Sequence, residues 1–258
     1  MTKRIKNIIK KELPGIDFGF CSLTSLPQNK NSRLKSEGFF GAVVFVFPYK
    51  VKEKPPENIS RYCAVPDYHN VAMIKLKNLA SKLKEEIPEE NFSPFTDISP
   101  IGEVYAAVYA GLGVKGENGL LITKKYGSFV FIGEILTSIR LKDACEFKEC
   151  PKCGMCKNHC PVGLDKSRCL SSLTQKKGEL TLDEKADIKK LGSVFGCDIC
   201  QAVCPLNKNA ANTNIDEFLD GYRDKYQKDE DDKNRAYTWR GRAVVDRNLD
   251  ILSTKKTT

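Results

Sequence analysis

The sequence predicts a mixed α/β (α+β) fold in two parts, an α/β region followed by a small cysteine-rich domain. Three observations predict it. Strand-like and helix-like segments alternate over residues 1–140. Residues 39–47 (FFGAVVFVF) form a continuous β-branched and aromatic run, the pattern of a strand covered on both faces. Most of the 11 cysteines crowd between residues 150 and 204.

Ile5, Ile8, Ile9 and Leu13 recur at helical spacing and predict a short amphipathic helix over 4–13. Residues 16–21 (IDFGFC) read as a strand, and residues 28–37 as a polar loop. The run at 39–47 follows, then the charged, proline-bearing loop 49–57. Asp67 is a candidate N-cap for a long helix over 68–87, with Val71, Ile74, Leu79, Leu83 and Ile87 inside it. Residues 91–97 read as a short strand that delivers Asp97 to a loop. Ser99 and Pro100 are expected to open the next helix, with proline at its first position. That helix should run through EVYAAVYAG and stop at Gly111 or Gly113.

Gly111, Gly113 and Gly116 spell G-x-G-x-x-G. A dinucleotide fingerprint must follow a strand and open a helix. Here it follows a helix and leads to a strand, so the glycines are read as a helix C-cap and a turn. Residues 120–123 and 128–136 are expected to form a hairpin across 124–127. Residues 170–190 look helical, and 207–234 look like a polar surface connection. The expected divisions are an α/β domain at 1–140, a cysteine domain at 141–210 and, at 211–258, an extension packing back on the core.

The cysteines carry the chemistry. Cys150, Cys153, Cys156 and Cys160 form C-x2-C-x2-C-x3-C with Pro161 behind them. Cys197, Cys200 and Cys204 form C-x2-C-x3-C with Pro205 behind them, and Cys169 stands between the runs. This is the ligand pattern of two [4Fe–4S] clusters, in which the fourth cysteine of a run serves the other cluster. One cluster would take Cys150, Cys153, Cys156 and Cys204, and the other Cys197, Cys200, Cys160 and Cys169. Cysteine at every third position of a tight turn lets three thiolates reach three irons, and proline then redirects the chain. A structural zinc site usually shows two separated C-x2-C pairs instead. Disulfides fit less well, because the basic start MTKRIKNIIKKELPG has no apolar core of a signal peptide.

The longest apolar run, 39–49, is far short of the roughly 20 residues of a membrane helix. A soluble, reducing, cytoplasmic setting is expected. The formal charge is +9, from 42 basic and 33 acidic residues. Two oxidised clusters with their thiolates contribute about −4, leaving roughly +5. Such a surface suits a polyanion such as RNA, and equally an ordinary lysine-rich protein.

Several separated segments together resemble the epoxyqueuosine reductases. They are DYH at 67–69, D-x-x-P-x-x-E on Asp97, Pro100 and Glu103, GLGVKGENGLLI at 111–122 and YGSFVFIGEILT at 126–137. Both cysteine runs, RCLSSLTQKKG at 168–178, TWRG at 238–241 and the later Arg247-Asn248 continue the resemblance. It spans residues 38–250 in order. It implies a nitroreductase-like cobalamin-binding domain followed by a ferredoxin-like domain with two [4Fe–4S] clusters. It also implies reduction of epoxyqueuosine to queuosine in tRNA. Electrons would come singly from reduced ferredoxin or flavodoxin through the clusters to base-off cobalamin, whose cobalt(I) state helps remove the epoxide oxygen as water. A cytoplasmic monomer with no membrane association is expected.

By the same resemblance Asp97 is the proton donor, which needs its pKa raised by burial against the corrin and apolar walls, and Phe95 and Ile98 lie close to it in sequence. Leu121, Ile132 and Ile135 fall on the cobalamin-contacting hairpin, although plain core packing explains them equally well. Thr174 falls on a position near the cofactor. The family uses no histidine as lower ligand, so His69 is read as a capping residue, and His159 as a surface residue beside Cys160. Cys21, Cys63 and Cys145 lie outside the cluster motifs. Three departures stand out: Val104 replaces an arginine, Val114 a tryptophan and Glu117 a lysine. The family's tRNA-gripping helical repeats are expected to be missing after residue 253. A related corrinoid reductase of a small molecule, and a two-cluster electron-transfer protein without corrinoid, are the competing readings.

Overall fold

The computed structural model describes residues 1–27, 36–228 and 232–254. Most of the loop expected at 28–37 lies outside the described residues. The chain opens with helix α1 (Thr2–Glu12), which buries Ile5 and Ile9. Strands β1 (Asp17–Ser22) and β2 (Gly41–Pro48) then pair antiparallel. Helix α2 (Tyr68–Glu86) starts at Asp67, whose carboxylate accepts the His69 backbone N–H at 3.0 Å, as the capping expectation requires. Strand β3 (Phe92–Thr96) leads to helix α3 (Glu103–Tyr109). Two short strands, β4 (Val114–Lys115) and β5 (Leu121–Ile122), pair with each other, and β6 (Val130–Thr137) completes the main sheet.

That sheet has the order β1-β2-β6-β3 and is antiparallel throughout. Central position explains the unbroken apolar run of β2. One face, with Val43, Phe45, Phe47 and Ile135, packs on α1 and α2. The other, with Ala42, Val44, Val46 and Leu136, packs on α3. Every residue of β2 is buried.

The cysteine region has short elements: α4 (Met155–His159), α5 (Leu170–Thr174), α6 (Leu182–Leu191) and α7 (Ile199–Ala202). Helices α8 (Asp216–Asp220) and α9 (Arg242–Ser253) follow. Asn248 of α9 is fully buried and donates to the carbonyls of Thr174 and Val194, both at 2.8 Å. It thereby clamps the two segments that carry Cys169 and Cys197.

Four sequence expectations need correction. Pro100 does not open α3. The Ser99 hydroxyl is spent on the buried Glu134, so the helix begins three residues later behind Gly102. Strands β5 and β6 do not form a hairpin, because β5 pairs with β4 and only a Thr123–Gly127 bridge closes the turn. The helix expected over 170–190 is split, since Gly178 is left-handed and a Thr181–Glu184 capping box starts α6 afresh. Residues 207–234 are more than a surface connection: Phe218 is fully buried, with its ring 5.8 Å from that of Phe131.

The G-x-G segment behaves as a cap and turn. Gly111 adopts φ 77° beyond the end of α3. A Cβ on Gly113 would sit 2.3 Å from the Ile122 carbonyl oxygen. Among the described residues no helix is long and apolar enough to cross a membrane.

Candidate active site at the sheet–cysteine junction

Two of the cavities that meet the cysteine region are lined by three or more of its thiols. The smaller, about 100 Å³, is lined by Cys150, Cys153, Cys156 and Cys204, together with Pro151, Pro205, Ile122 and Leu206. These four cysteines are one of the two sets divided out from the sequence. The Glu117 backbone N–H donates to the Cys150 sulfur at 3.3 Å, the kind of contact that stabilises a cluster thiolate. Glu117 also stands beside Cys156, so the lysine-to-glutamate departure falls on this thiol group and not on the larger cavity.

Of the other set, Cys169, Cys197 and Cys200 line the larger cavity. Cys160 and Cys169 lie near enough to Cys200 for their charges to act on its thiol. Among the described residues no group of three or more His, Cys, Asp or Glu side chains is arranged to hold a single metal ion. A point ion such as zinc draws four ligands to about 2.3 Å from one centre. Thiols spread around a void suit a cube, which offers each thiolate its own iron.

The larger cavity has a volume of about 470 Å³, within the usual range for small-molecule sites. Its floor and walls include Leu120, Leu121, Val130, Phe131 and Ile132, with Tyr49, Tyr62 and Tyr68 around them. Asp97 and Glu103 supply its carboxylates, and Val104 lines it where the family resemblance expects arginine.

Asp97 is held oddly. Its φ is +62°, and the Ile98 N–H donates to the Thr96 carbonyl at 2.7 Å, closing a tight γ-turn with Asp97 at its apex. Such turns are strained in residues with a Cβ, and strain of this kind gathers at functional sites. The Asp97 carboxylate lies 3.5 Å from His69 Nε2, and His69 Nδ1 is 2.8 Å from Asp67. The hydrogen bonds to Asp67 and then Asp97 push the His69 pKa up to about 9. Burial would raise the Asp67 carboxyl, but the bonds from His69 outweigh it and hold it below the usual range.

Leu121 and Ile132 line the cavity, as the resemblance implies. Ile135 does not. It lies farther along β6, opposite Val43, and is fully buried in the core against α2. Thr174 is also displaced from the cavity. Fully buried, it accepts the Gly196 N–H at 2.8 Å and donates to the Ser171 carbonyl at 2.7 Å, while its neighbours Ser171 and Ser172 face the cavity. The Asp97 side chain is 59 % exposed, and Ile98 points to solvent. Cys63 is fully buried against Ser60, with its thiol pushed up to about 12 by burial. His159 caps its own helix through the Met155 carbonyl.

Glu103 and Glu134 were passed over as functional residues. Burial, then the charge of Asp97, pushes the Glu103 carboxyl up to about 7. Burial, then Glu103, pushes Glu134 well above the usual carboxylate range. The one available hint was a glutamate inside the apolar strand FVFIGEILT.

Comparison with known proteins agrees with this layout. Residues 33–98 match the family model described as epoxyqueuosine reductase QueG, DUF1730. Residues 149–207 match the 4Fe-4S double cluster binding domain, which supports iron–sulfur binding there. An epoxyqueuosine reductase of Lactococcus garvieae is 31% identical over 240 residues, covering 81% of this chain and 66% of the relative. That of Aliivibrio fischeri is 36% identical over 181 residues, covering 67% and 48%. The chain thus spans about half to two thirds of the length of these curated relatives. In fold it is similar to the epoxyqueuosine reductase of Streptococcus thermophilus, with TM-score 0.78 and 23% identity over 98% of this chain and 80% of that one. It is also similar to an epoxyqueuosine reductase solved with an epoxyqueuosine-modified tRNA stem loop, with TM-score 0.81 and 23% identity over 97% and 80%. Taken with the thiol sets and the shared cavity, these likenesses establish that the chain belongs to the epoxyqueuosine reductase family.

Proposed function

We propose that the protein is an iron–sulfur and cobalamin-dependent oxidoreductase that converts epoxyqueuosine to queuosine in tRNA. The observation that carries this reading is a single cavity with Asp97 on one wall and Cys169, Cys197 and Cys200 on another. In this reading Cys150, Cys153, Cys156 and Cys204 hold one [4Fe–4S] cluster, and Cys160, Cys169, Cys197 and Cys200 hold the second. Cobalamin fits the cavity's apolar walls, among them Leu121 and Ile132, and no histidine lines the cavity to serve as a lower ligand. When bound it supplies a strongly reducing, nucleophilic cobalt centre.

The chain's own residues do the remaining work. Asp97, carried on the turn at the cavity, is the group that delivers a proton to the epoxide oxygen. His69, pinned by Asp67, keeps the Asp97 carboxylate in place. The apolar walls exclude water, which strengthens each charge inside. Of the relatives, one is described with its catalytic aspartate loop swung out of the active site. Asp97, exposed at the apex of a strained turn, suits a loop that closes over substrate. The tRNA partner rests on the stem-loop complex of the relative and on the basic charge of +9. Reduced ferredoxin or flavodoxin supplies the electrons, and the protein works as a cytoplasmic monomer.

A second reading, a corrinoid reductase acting on a small molecule, is favoured by one feature: Val104 leaves the cavity wall without the arginine expected there. One anaerobic experiment separates the two. Protein reconstituted with iron, sulfide and cobalamin is given a one-electron reductant and tRNA bearing epoxyqueuosine, and its nucleosides are digested and weighed by mass spectrometry. Cobalamin-dependent queuosine establishes the tRNA reading. No product from protein holding both clusters and corrinoid rejects it in favour of the small-molecule reading.

A further inference from the structure

Glu103 opens α3 and lines the cavity beside Asp97. The Asp97 backbone N–H donates to its carboxylate, so Glu103 braces the strained turn. Its Oε1 has no partner. Behind it stands Glu134 of β6, fully buried. The Ser99 hydroxyl donates to Glu134 Oε2 at 2.5 Å, and Glu134 Oε1 is also without a partner. Four further titratable groups act on this pair or are acted on by it: Asp97 from the turn, His69 and Tyr68 from the start of α2, and Cys21 of β1. Burial and then Glu103 keep Glu134 neutral, while burial and then Asp97 raise Glu103.

The chemistry has a use for a proton held at Glu103. Turning an epoxide into an alkene breaks two C–O bonds, forms one C=C bond and releases the oxygen as water. The balance requires two electrons and two protons. The electrons arrive singly from the external reductant through the clusters, while Asp97 holds one proton at a time.

We propose that Glu103, half-buried beside Asp97, holds the second proton and passes it to Asp97 once Asp97 has given up its own. The proposal rests on the reductase reading above. Glu103 acts through Asp97, so it is a positioning residue and proton store. Its raised pKa, near neutrality, suits a group that gives a proton and regains it.

The first test needs no turnover. Infrared titration of the cluster-loaded protein should show a protonated carboxyl band that persists to neutral pH. The component that titrates near neutrality should vanish in Glu103→Gln, while the band of the fully buried Glu134 remains and is lost only in Glu134→Gln. Absence of the titrating component, or its survival in Glu103→Gln, overturns the proposal. The second test is the pH profile of queuosine formation. Glu103→Gln should lower kcat at least about tenfold with KM unchanged and abolish the limb near neutrality. Glu103→Asp should restore part of both. An unchanged kcat, or a lower kcat with an unchanged pH profile, overturns the proton role, the latter leaving Glu103 as a mere brace. No queuosine from the wild-type protein refutes the reductase reading and with it this use of the proton. The infrared titration decides separately whether Glu103 holds one.

Discussion

Strand β2 buries all eight of its residues, whereas the stretch from 142 to 169 buries none. The first belongs to a sheet covered on both faces, with Leu76, Leu79, Leu83 and Ile87 packed on one of them. The second has left-handed residues at Lys152, Gly154, Gly163 and Leu164 and one five-residue helix with no buried side chain. Apolar burial supplies the folding energy of the first region. The second has thiols around a cavity at its centre, and ligation must supply what burial does not. Loading with iron and sulfide should therefore act regionally, ordering one half and leaving the other as it was.

The largest expected effect tests that division directly. Cys156→Ala should lose one of two clusters, with hydrogen-exchange protection falling across 142–207 while β2 and β6 keep theirs. Unchanged iron content would refute the ligand assignment, and loss of protection in β2 would refute the division. Asp97→Asn breaks the comparison from the other side. It should cut turnover by at least about 10²-fold while iron content and melting stay as in the parent protein. Normal activity in that variant sinks the proton-donor role.

Leu76→Ala, at a fully buried site against β6, should cost about 2–5 kcal/mol in denaturant unfolding without altering iron stoichiometry. Gly127→Ala should cost about 1–3 kcal/mol. The residue sits at φ +56°, and a Cβ there would lie 2.2 Å from Asn207 Oδ1. The smallest effect is electrostatic. His69 has its folded pKa raised to about 9 from a usual value near 6.5. Its contribution is fully present below about 6.5 and is lost as pH rises through 9. The pair is partly exposed, so the amount should stay under about 1 kcal/mol. The difference in unfolding free energy between parent and His69→Ala should shrink across that window.

What the sequence disclosed follows the range of the interactions involved. The Asp67 cap, the Gly111 stop and both cysteine runs are local, and residues close in the chain set them. Of the residues that the resemblance puts against cobalamin, Leu121 and Ile132 line the cavity, while Ile135 sits deeper along β6 in the core, a distinction set by tertiary packing. The start of α3 failed because Ser99 is drawn to Glu134, 35 residues away. The Thr174 hydroxyl is used by Gly196, 22 residues away. The Glu103–Glu134 pair joins a helix start to a mid-strand position, and although each glutamate stands out locally, nothing local joins the two.

One part of the seam between the halves is tied by a small side-chain network. Asn207 donates to Gln201 and Ser128, Ser128 and Tyr49 both donate to Gln201, and Asn207 takes the Ser128 N–H. Asn207 follows Cys204 by three residues, and Gln201 follows Cys200 by one. Cys200 and Cys204 are therefore registered against the β6 edge by their own near neighbours. A ferredoxin-like cassette borrowed from another protein would bring eight cysteines and still arrive out of alignment, unless it also brought this asparagine and glutamine. Exchange between such chains should then move the cysteine cassette together with the Tyr49 and Ser128 positions that receive it, as one inherited block.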